Sequence, residues 1–361
     1  MAVPLAPDDI VATRDAIDPD AREPLVILDT LTAFLDAHGI GEEGSTPELT
    51  PIGDGHSNVT FLVDRGGTEV VLRRPPRGPL PPSAHDVLRE ARVIGALDGR
   101  ARVPKVLAVG DDPAVIGAPF YVMAKVDGDV LVDTLPERFE PEAERRRIGE
   151  ELIDALVELH AVDWRAAGLE GFGKPEGYLE RQLRRFTGLW DHNKTREIPA
   201  VERIGAWLAE RRPESPTATI VHGDFRLGNT LYAEGTPARL AAILDWEMAT
   251  IGDPLADLGY LLVMWSDRND PDVGGMDLSP VTKQPGFPTR EELVARYAER
   301  SGRSVGDLGW YRVFASWKLL IFMEGNYKRA VSGTTDDPFI LQFGSLIEGL
   351  ADHVEALTRD A

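Results

Sequence analysis

The chain contains no cysteine at all, which excludes disulfides, thiolate metal sites and cysteine nucleophiles together. It also lacks any run approaching the roughly 20 consecutive apolar residues that a membrane span requires. Its first residues, MAVPLAPDD, are acidic and proline-rich rather than basic and then apolar, so they do not read as a secretion signal. The expectation is a cytoplasmic protein with no membrane partner. Positive charge is scarce: 39 Lys and Arg stand against 60 Asp and Glu, giving a net charge of −21. That field repels polyanions, so nucleic acid is not an expected partner. The acidity itself is read as a solubility trait rather than a substrate signal. No internal repeat is found. What is present is an ordinary globular composition, 43% hydrophobic and 27% charged, over 361 residues, enough for two lobes that each bury a core. A monomer or a homodimer fits equally.

Residues 1–23 show no clear periodicity and read as a flexible N-terminal arm. The run Leu25–His38 repeats apolar residues at helical spacing and is stopped by Gly39. Two β-branched and aromatic runs, Val59–Asp64 and Glu69–Arg73, flank the turn Arg65-Gly66-Gly67-Thr68 and predict a hairpin. A helix is expected from Ser83 as N-cap to Leu97, followed by extended runs at Val106–Gly110 and Phe120–Val126. Beyond residue 130 the pattern is mainly helical, at 141–160, 179–190, 200–211, 254–265, 290–301, 308–329 and 338–358. The exceptions are short strands at Thr219–Val221, Thr230–Tyr232 and Ala241–Leu244, set around polar motifs.

Those motifs carry the chemistry. His222-Gly223-Asp224-Phe225-Arg226-Leu227-Gly228-Asn229 is followed by Ile243-Leu244-Asp245-Trp246-Glu247. Phosphoryl transfer needs a carboxylate to orient and deprotonate the attacking hydroxyl, and oxygen ligands to hold Mg²⁺ on the phosphates. Asp224 and Asn229 have the Asp-to-Asn spacing of the protein-kinase loop H-R-D-x-x-x-x-N, and Asp245 ends an apolar strand where D-F-G would stand. Asp and Asn are common in loops as turn formers, but the ordered set of three, flanked by strands, favours the functional reading. The expected roles are Asp224 as catalytic base, with Asn229 and Asp245 as metal ligands.

The set resembles the aminoglycoside phosphotransferase and choline kinase superfamily, whose pattern is H-G-D-x-x-x-x-N followed by I-D-W/F. The resemblance runs from about residue 48 to 330. It implies an α+β, bilobal protein-kinase-like fold: a small N-lobe with an antiparallel sheet, over 24–124, and a larger, mainly helical C-lobe, over 125–361. It also implies ATP and Mg²⁺ as cofactors and a small-molecule hydroxyl as acceptor. Gly252-Asp253-Pro254-Leu255-Ala256-Asp257 continues the likeness. Asp253 and Pro254 make a good helix start, while by resemblance Asp257 would brace the catalytic loop through backbone amides. His222 is taken as structural.

Upstream, Ile52-Gly53-Asp54-Gly55-His56-Ser57-Asn58 is a glycine-bearing loop followed by a strand rather than a helix, which is not the Rossmann order. By resemblance Gly53, Gly55, Ser57 and Asn58 would cover the ATP phosphates. Arg73 stands where kinases carry the lysine of V-A-I-K, a departure, since Arg is a planar, permanently charged fork. Glu90 would be its ion-pair partner, a solvated surface role being the alternative. Met123, Ala124 and Val126 resemble the segment that binds adenine, though a plain core strand would look the same.

The acceptor divides the readings. Aminoglycoside-inactivating members use acidic clusters, whereas here Arg145–Arg147 and the helical face Arg181, Arg184 and Arg185 suit either an anionic acceptor or a solvated face. Gly177–Gln182 and Ser316–Leu319 with Glu324-Gly325 look like a subgroup whose members are in some cases fused to acyl-CoA dehydrogenases. That implies a hydroxyacyl or hydroxyacyl-CoA acceptor. The rivals are an antibiotic phosphotransferase, a pseudokinase-type nucleotide-binding module, which Arg73 invites, and a Ser/Thr protein kinase, which the absence of H-R-D and D-F-G opposes.

Overall fold

The computed structural model describes residues 6, 8–17, 22–53, 58–78, 85–215, 217–270, 279–333 and 338–359. Its elements begin with strands β1 (Ile10–Val11) and β2 (Val26–Ile27), helix α1 (Leu28–Ala37), and strands β3 (Glu48–Ile52), β4 (Val59–Arg65) and β5 (Thr68–Arg74). Helix α2 (Val87–Leu97) and strands β6 (Val106–Gly110) and β7 (Phe120–Ala124) follow. Then come α3 (Glu142–Ala161), α4 (Tyr178–Asn193), α5 (Pro199–Glu210), β8 (Thr219–Val221), β9 (Thr230–Tyr232), β10 (Leu240–Ile243) and β11 (Thr250–Gly252). The chain closes with α6 (Leu255–Met264), α7 (Arg290–Ser301), α8 (Leu308–Val331) and α9 (Pro338–Leu357). Two compact units result, one of Met1–Gly128 with Ala241–Glu247, the other of Asp129–Leu240 with Met248–Ala361.

In the first unit an antiparallel sheet runs in the order β3-β4-β5-β7-β6. The two-residue turn Gly66-Gly67 has φ of 62° and 83°, a conformation that suits the twist of a hairpin and that glycine adopts freely. Alternation along the strands sorts side chains by face. Phe61, Val63, Val70, Leu72, Phe120 and Val122 pack with Leu31 and Leu35 of α1 in one core. The register Thr60↔Arg73↔Tyr121 and Val71↔Met123 sends the intervening residues to the opposite face, and α2 packs against β6 and β7.

Some expected boundaries shift. Part of the supposed loose arm forms β1, which pairs in parallel with β2, so Val26 and Ile27 are strand and the first helix begins only at Leu28. Asp9, 5% exposed, accepts the backbone amides of Leu25 and Val26 through its carbonyl and so ties the arm down. The expected N-cap Ser83 lies outside the described residues. The cap of α2 is Asp86, whose side chain accepts from the Arg89 amide at 3.0 Å. Strand β3 was not expected, because Pro51 interrupts its pattern; it lies at the sheet edge, where a missing donor is tolerated.

In the second unit β8 pairs antiparallel with β11, Val221 opposite Thr250. That register brings the loop leaving β8 beside the start of α6. Helix α6 is buried around most of its circumference, as its sequence LADLGYLLVM demands. Its Gly259 touches α8: an added Cβ would meet Tyr311 Cβ at 2.7 Å.

Candidate active site

The loop after β8 turns at Gly223, φ 88°, where a side chain would strike the Met248 carbonyl at 2.8 Å. Asp257, wholly buried on α6, accepts the His222 amide at 2.7 Å and the Gly223 amide at 2.8 Å. Burial alone would raise its carboxyl. A hydrogen bond with His160, the nearby His160 and His222 rings and the Gly223 amide hold it below the ordinary aspartate value instead. His160 Nε2 lies 3.3 Å from Asp257 Oδ2, and its Nδ1 lies 2.8 Å from the Tyr297 hydroxyl. Asp253 accepts the Leu255 amide at 2.9 Å and the Tyr311 hydroxyl at 2.7 Å, so it both starts α6 and anchors α8. The bracing of the loop by Asp257 is thus present in full.

On that loop Asn229 Nδ2 donates to both the carbonyl and the Oδ2 of Asp224, at 2.8 and 2.7 Å. This fixes the Asp224 rotamer and leaves Asn229 Oδ1 without a hydrogen bond among the described residues. Asp224 Oδ1 is buried and accepts no hydrogen bond, with Arg226 Nε 3.6 Å away. An unsatisfied carboxylate oxygen on a pinned loop is the kind of exception that calls for a missing partner. The Tyr260 hydroxyl of α6 is pushed up by burial, by the Asp224 charge and by hydrogen bonding to the Asp224 carboxylate, with Arg226 opposing.

A second group belongs to the first unit. Arg73 Nε donates to Glu90 Oε2 at 3.0 Å, Nη1 to Thr60 Oγ1 at 3.2 Å, and Nη2 to Asp245 Oδ1 at 2.6 Å. The expected Arg73–Glu90 pair is therefore formed, and Glu90 is buried rather than solvated. Burial works against the guanidinium charge, but Glu90 and Asp245 overcome it and hold Arg73 firmly protonated. Asp245 adopts φ 64°, rare for a residue with a side chain. Such backbone strain concentrates where a side chain must be aimed. Its Oδ2 makes no hydrogen bond among the described residues.

The remaining candidates are placed as follows. Gly53 follows β3 with φ 86°, and Gly55 and Ser57 lie outside the described residues. Asn58 is buried and donates to Glu90 Oε2 at 3.3 Å, with its Oδ1 3.2 Å from His85 Nδ1, so it supports Glu90 instead of presenting itself to phosphate. Met123 shares the sheet face of Arg73. The Ala124 amide is already used by the Lys105 carbonyl at 2.8 Å, whereas the backbone of Val126 makes no hydrogen bond among the described residues. Sequence reading passed over Thr60, Arg226, Tyr260 and His160. Arg226 was legible inside the Asp224 motif. His160, 97 residues from Asp257, gave no signal. Among the described residues no three His or acidic side chains cluster as a metal nest. A magnesium ion carried on phosphates needs only one or two protein oxygens, and Asp245 Oδ2 and Asn229 Oδ1 are of the right kind.

A model of the phosphotransferase enzyme family matches residues 48–310. Mouse acyl-CoA dehydrogenase family member 10 is 34% identical over 340 residues, covering 93% of this chain and 31% of that protein. The chain thus spans about a third of that relative's length. A solved structure from Ralstonia eutropha JMP134, provisionally assigned as an aminoglycoside phosphotransferase, is 31% identical with a TM-score of 0.78, covering 92% of this chain and 98% of that one. Choline kinase from Cryptosporidium parvum Iowa II is only 11% identical but shares the fold, with a TM-score of 0.61 over 92% of this chain and 95% of its own.

Proposed function

The chain belongs to the phosphotransferase enzyme family and has its protein-kinase-like fold, and from that premise we propose that it moves the γ-phosphate of ATP to a hydroxyl of a small molecule. The observation that carries this reading is the Asp224 carboxylate, with Arg226 Nε 3.6 Å from its Oδ1, on a loop held from both sides, by Asp257 through the backbone and by Asn229 through the side chain. A carboxylate fixed in this way can take the proton of an acceptor hydroxyl as its oxygen forms a bond to phosphorus and ADP departs. Pre-orientation matters here, because a base that must first be ordered loses part of its effect.

The candidate magnesium ligands are Asp245 Oδ2 in the first unit and Asn229 Oδ1 in the second; the ion would neutralise charge on the phosphates when bound. Arg73 holds Asp245 in its strained conformation and offers a fixed cation for phosphate. Val126 carries the backbone groups open to the adenine. The relatives named as acyl-CoA dehydrogenase family members support a hydroxyacyl or hydroxyacyl-CoA acceptor over an aminoglycoside.

Replacing Asp224 with Ala is expected to lower phosphoryl transfer by about a thousandfold, while calorimetry still detects Mg–ATP binding. Transfer would be followed by phosphorus NMR with hydroxyacyl-CoAs, aminoglycosides, choline and sugars. Full activity in the variant would overturn the mechanism.

A further inference from the structure

Arg226 stands inside the Asp224 motif, and nothing above gives it a role. The backbone there is extended, φ −156° and ψ 163°, so successive side chains alternate. Phe225 and Leu227 are buried, while the Arg226 side chain turns outward and is 31% exposed. The chain then closes a turn, the Asn229 amide donating to the Arg226 carbonyl at 2.9 Å. The arginine folds back over this turn. A Cβ added at Gly228 would meet Arg226 Nη1 at 2.5 Å, so the guanidinium occupies the space that glycine leaves. Its Nε comes within 3.6 Å of Asp224 Oδ1, and all three residues belong to the second unit.

Two observations set this contact apart from an ordinary ion pair. At 3.6 Å it is longer than a hydrogen bond, and Asp224 needs no further orienting, because Asn229 Nδ2 already donates to both its carbonyl and its Oδ2. The guanidinium also makes no hydrogen bond among the described residues, which leaves its N–H fork open to an incoming oxygen. Arg73, by contrast, spends its donors on Glu90, Thr60 and Asp245. Burial and Asp224 raise the Tyr260 hydroxyl and Arg226 lowers it, so both charges bear on the same point of α6.

We infer that Arg226 is a catalytic residue that donates to the oxygens of the transferring phosphoryl group. The inference rests on the reading of Asp224 as the base. A base must stand within about 3 Å of the hydroxyl it deprotonates, so the group which that hydroxyl attacks is brought up to the guanidinium as well. As the acceptor oxygen bonds to phosphorus and the bond from phosphorus to the ADP oxygen breaks, the hydroxyl proton passes to Asp224. The bonding pair leaves with ADP, and Arg226 keeps its proton throughout. A cation fixed at that point stabilises the charge spread over the phosphoryl oxygens, and it can be supplied by the same chain.

The test measures Mg–ADP binding by calorimetry on the full chain, with and without aluminium fluoride, an anion that takes the place of the transferring phosphoryl group. In the wild type the fluoride should tighten ADP by at least about a hundredfold. Arg226→Met should lose about a hundredfold of that gain, while binding Mg–ADP alone and melting as the wild type does. Arg226→Lys should keep part of the gain. Gly228→Ala keeps the arginine but drives its Nη1 from its place, and should lose most of the gain. No gain in the wild type, a Met variant that keeps it, or a Met variant equally weakened toward Mg–ADP alone would each overturn the inference. Phosphorus NMR on the same samples tells the two readings apart. Transfer by the wild type with an undiminished Met variant would sink this inference only, whereas a wild type that binds no Mg–ADP would sink the assigned chemistry with it.

Discussion

Asp257 shows how one buried carboxylate can hold a loop through its backbone amides. Its two oxygens are spent on the amides of His222 and Gly223, and an Asn in its place would turn an NH₂ group toward one of those donors. Asp257→Asn is therefore expected to cost about 3 kcal/mol at neutral pH. Because the folded-state carboxyl lies below its ordinary 3.8, the unfolded chain binds the proton more readily. The contribution is complete above that ordinary value and is lost as pH falls through the depressed one. Chemical denaturation of both proteins from neutral pH down toward about pH 3 should show the gap between them widest at neutrality and shrinking with acid. A gap that widens in acid would contradict the assignment.

Helix α6 concentrates the consequences of packing. It carries Asp257 and Tyr260, and between them Gly259 lies against the backbone of α8, where an added Cβ would come within 2.9 Å of the Tyr311 carbonyl carbon and oxygen. Those atoms cannot rotate away as a flexible side chain could. Gly259→Ala should gain about 1 kcal/mol of helix propensity yet lose more by overpacking, for a net destabilisation of about 1–2 kcal/mol, with reduced kcat as Asp257 shifts. Gly95 on α2 meets nothing within 4 Å, so Gly95→Ala should instead stabilise by up to about 1 kcal/mol. Urea midpoints of the two variants measure the contrast, and a Gly259→Ala protein as stable as wild type would show that α8 yields.

Across the whole molecule the net charge of −21 sets a background of self-repulsion. Screening acts over about 10 Å at 0.1 M salt, so raising sodium chloride from about 10 to 150 mM should raise the melting temperature by a few degrees. A fall would mean that ion pairs such as Arg296–Asp154, 2.8 Å, outweigh the surplus acid. The helices from α3 to α9 and the hairpin of β4 and β5 were legible because each has a complete period or turn signal of its own. Strands β1, β3 and β11 were not: the first two are short or interrupted by proline, and each exists only because a partner strand pairs with it.

The sequence by itself determined the candidate residues of the motifs. Asp224, Asn229 and Asp245 are close to one another in the chain, and local spacing is written directly into residue order. It also determined the candidate pair Arg73 and Glu90 through their places on a strand and a helix. Only the tertiary structure decided that Asn58 supports Glu90, that the Ala124 amide is already used, and that His160 holds Asp257. Those facts depend on packing between segments far apart in the chain. Burial, which sets the cost of an unpaired charge, is a property of the surrounding fold and not of the residue.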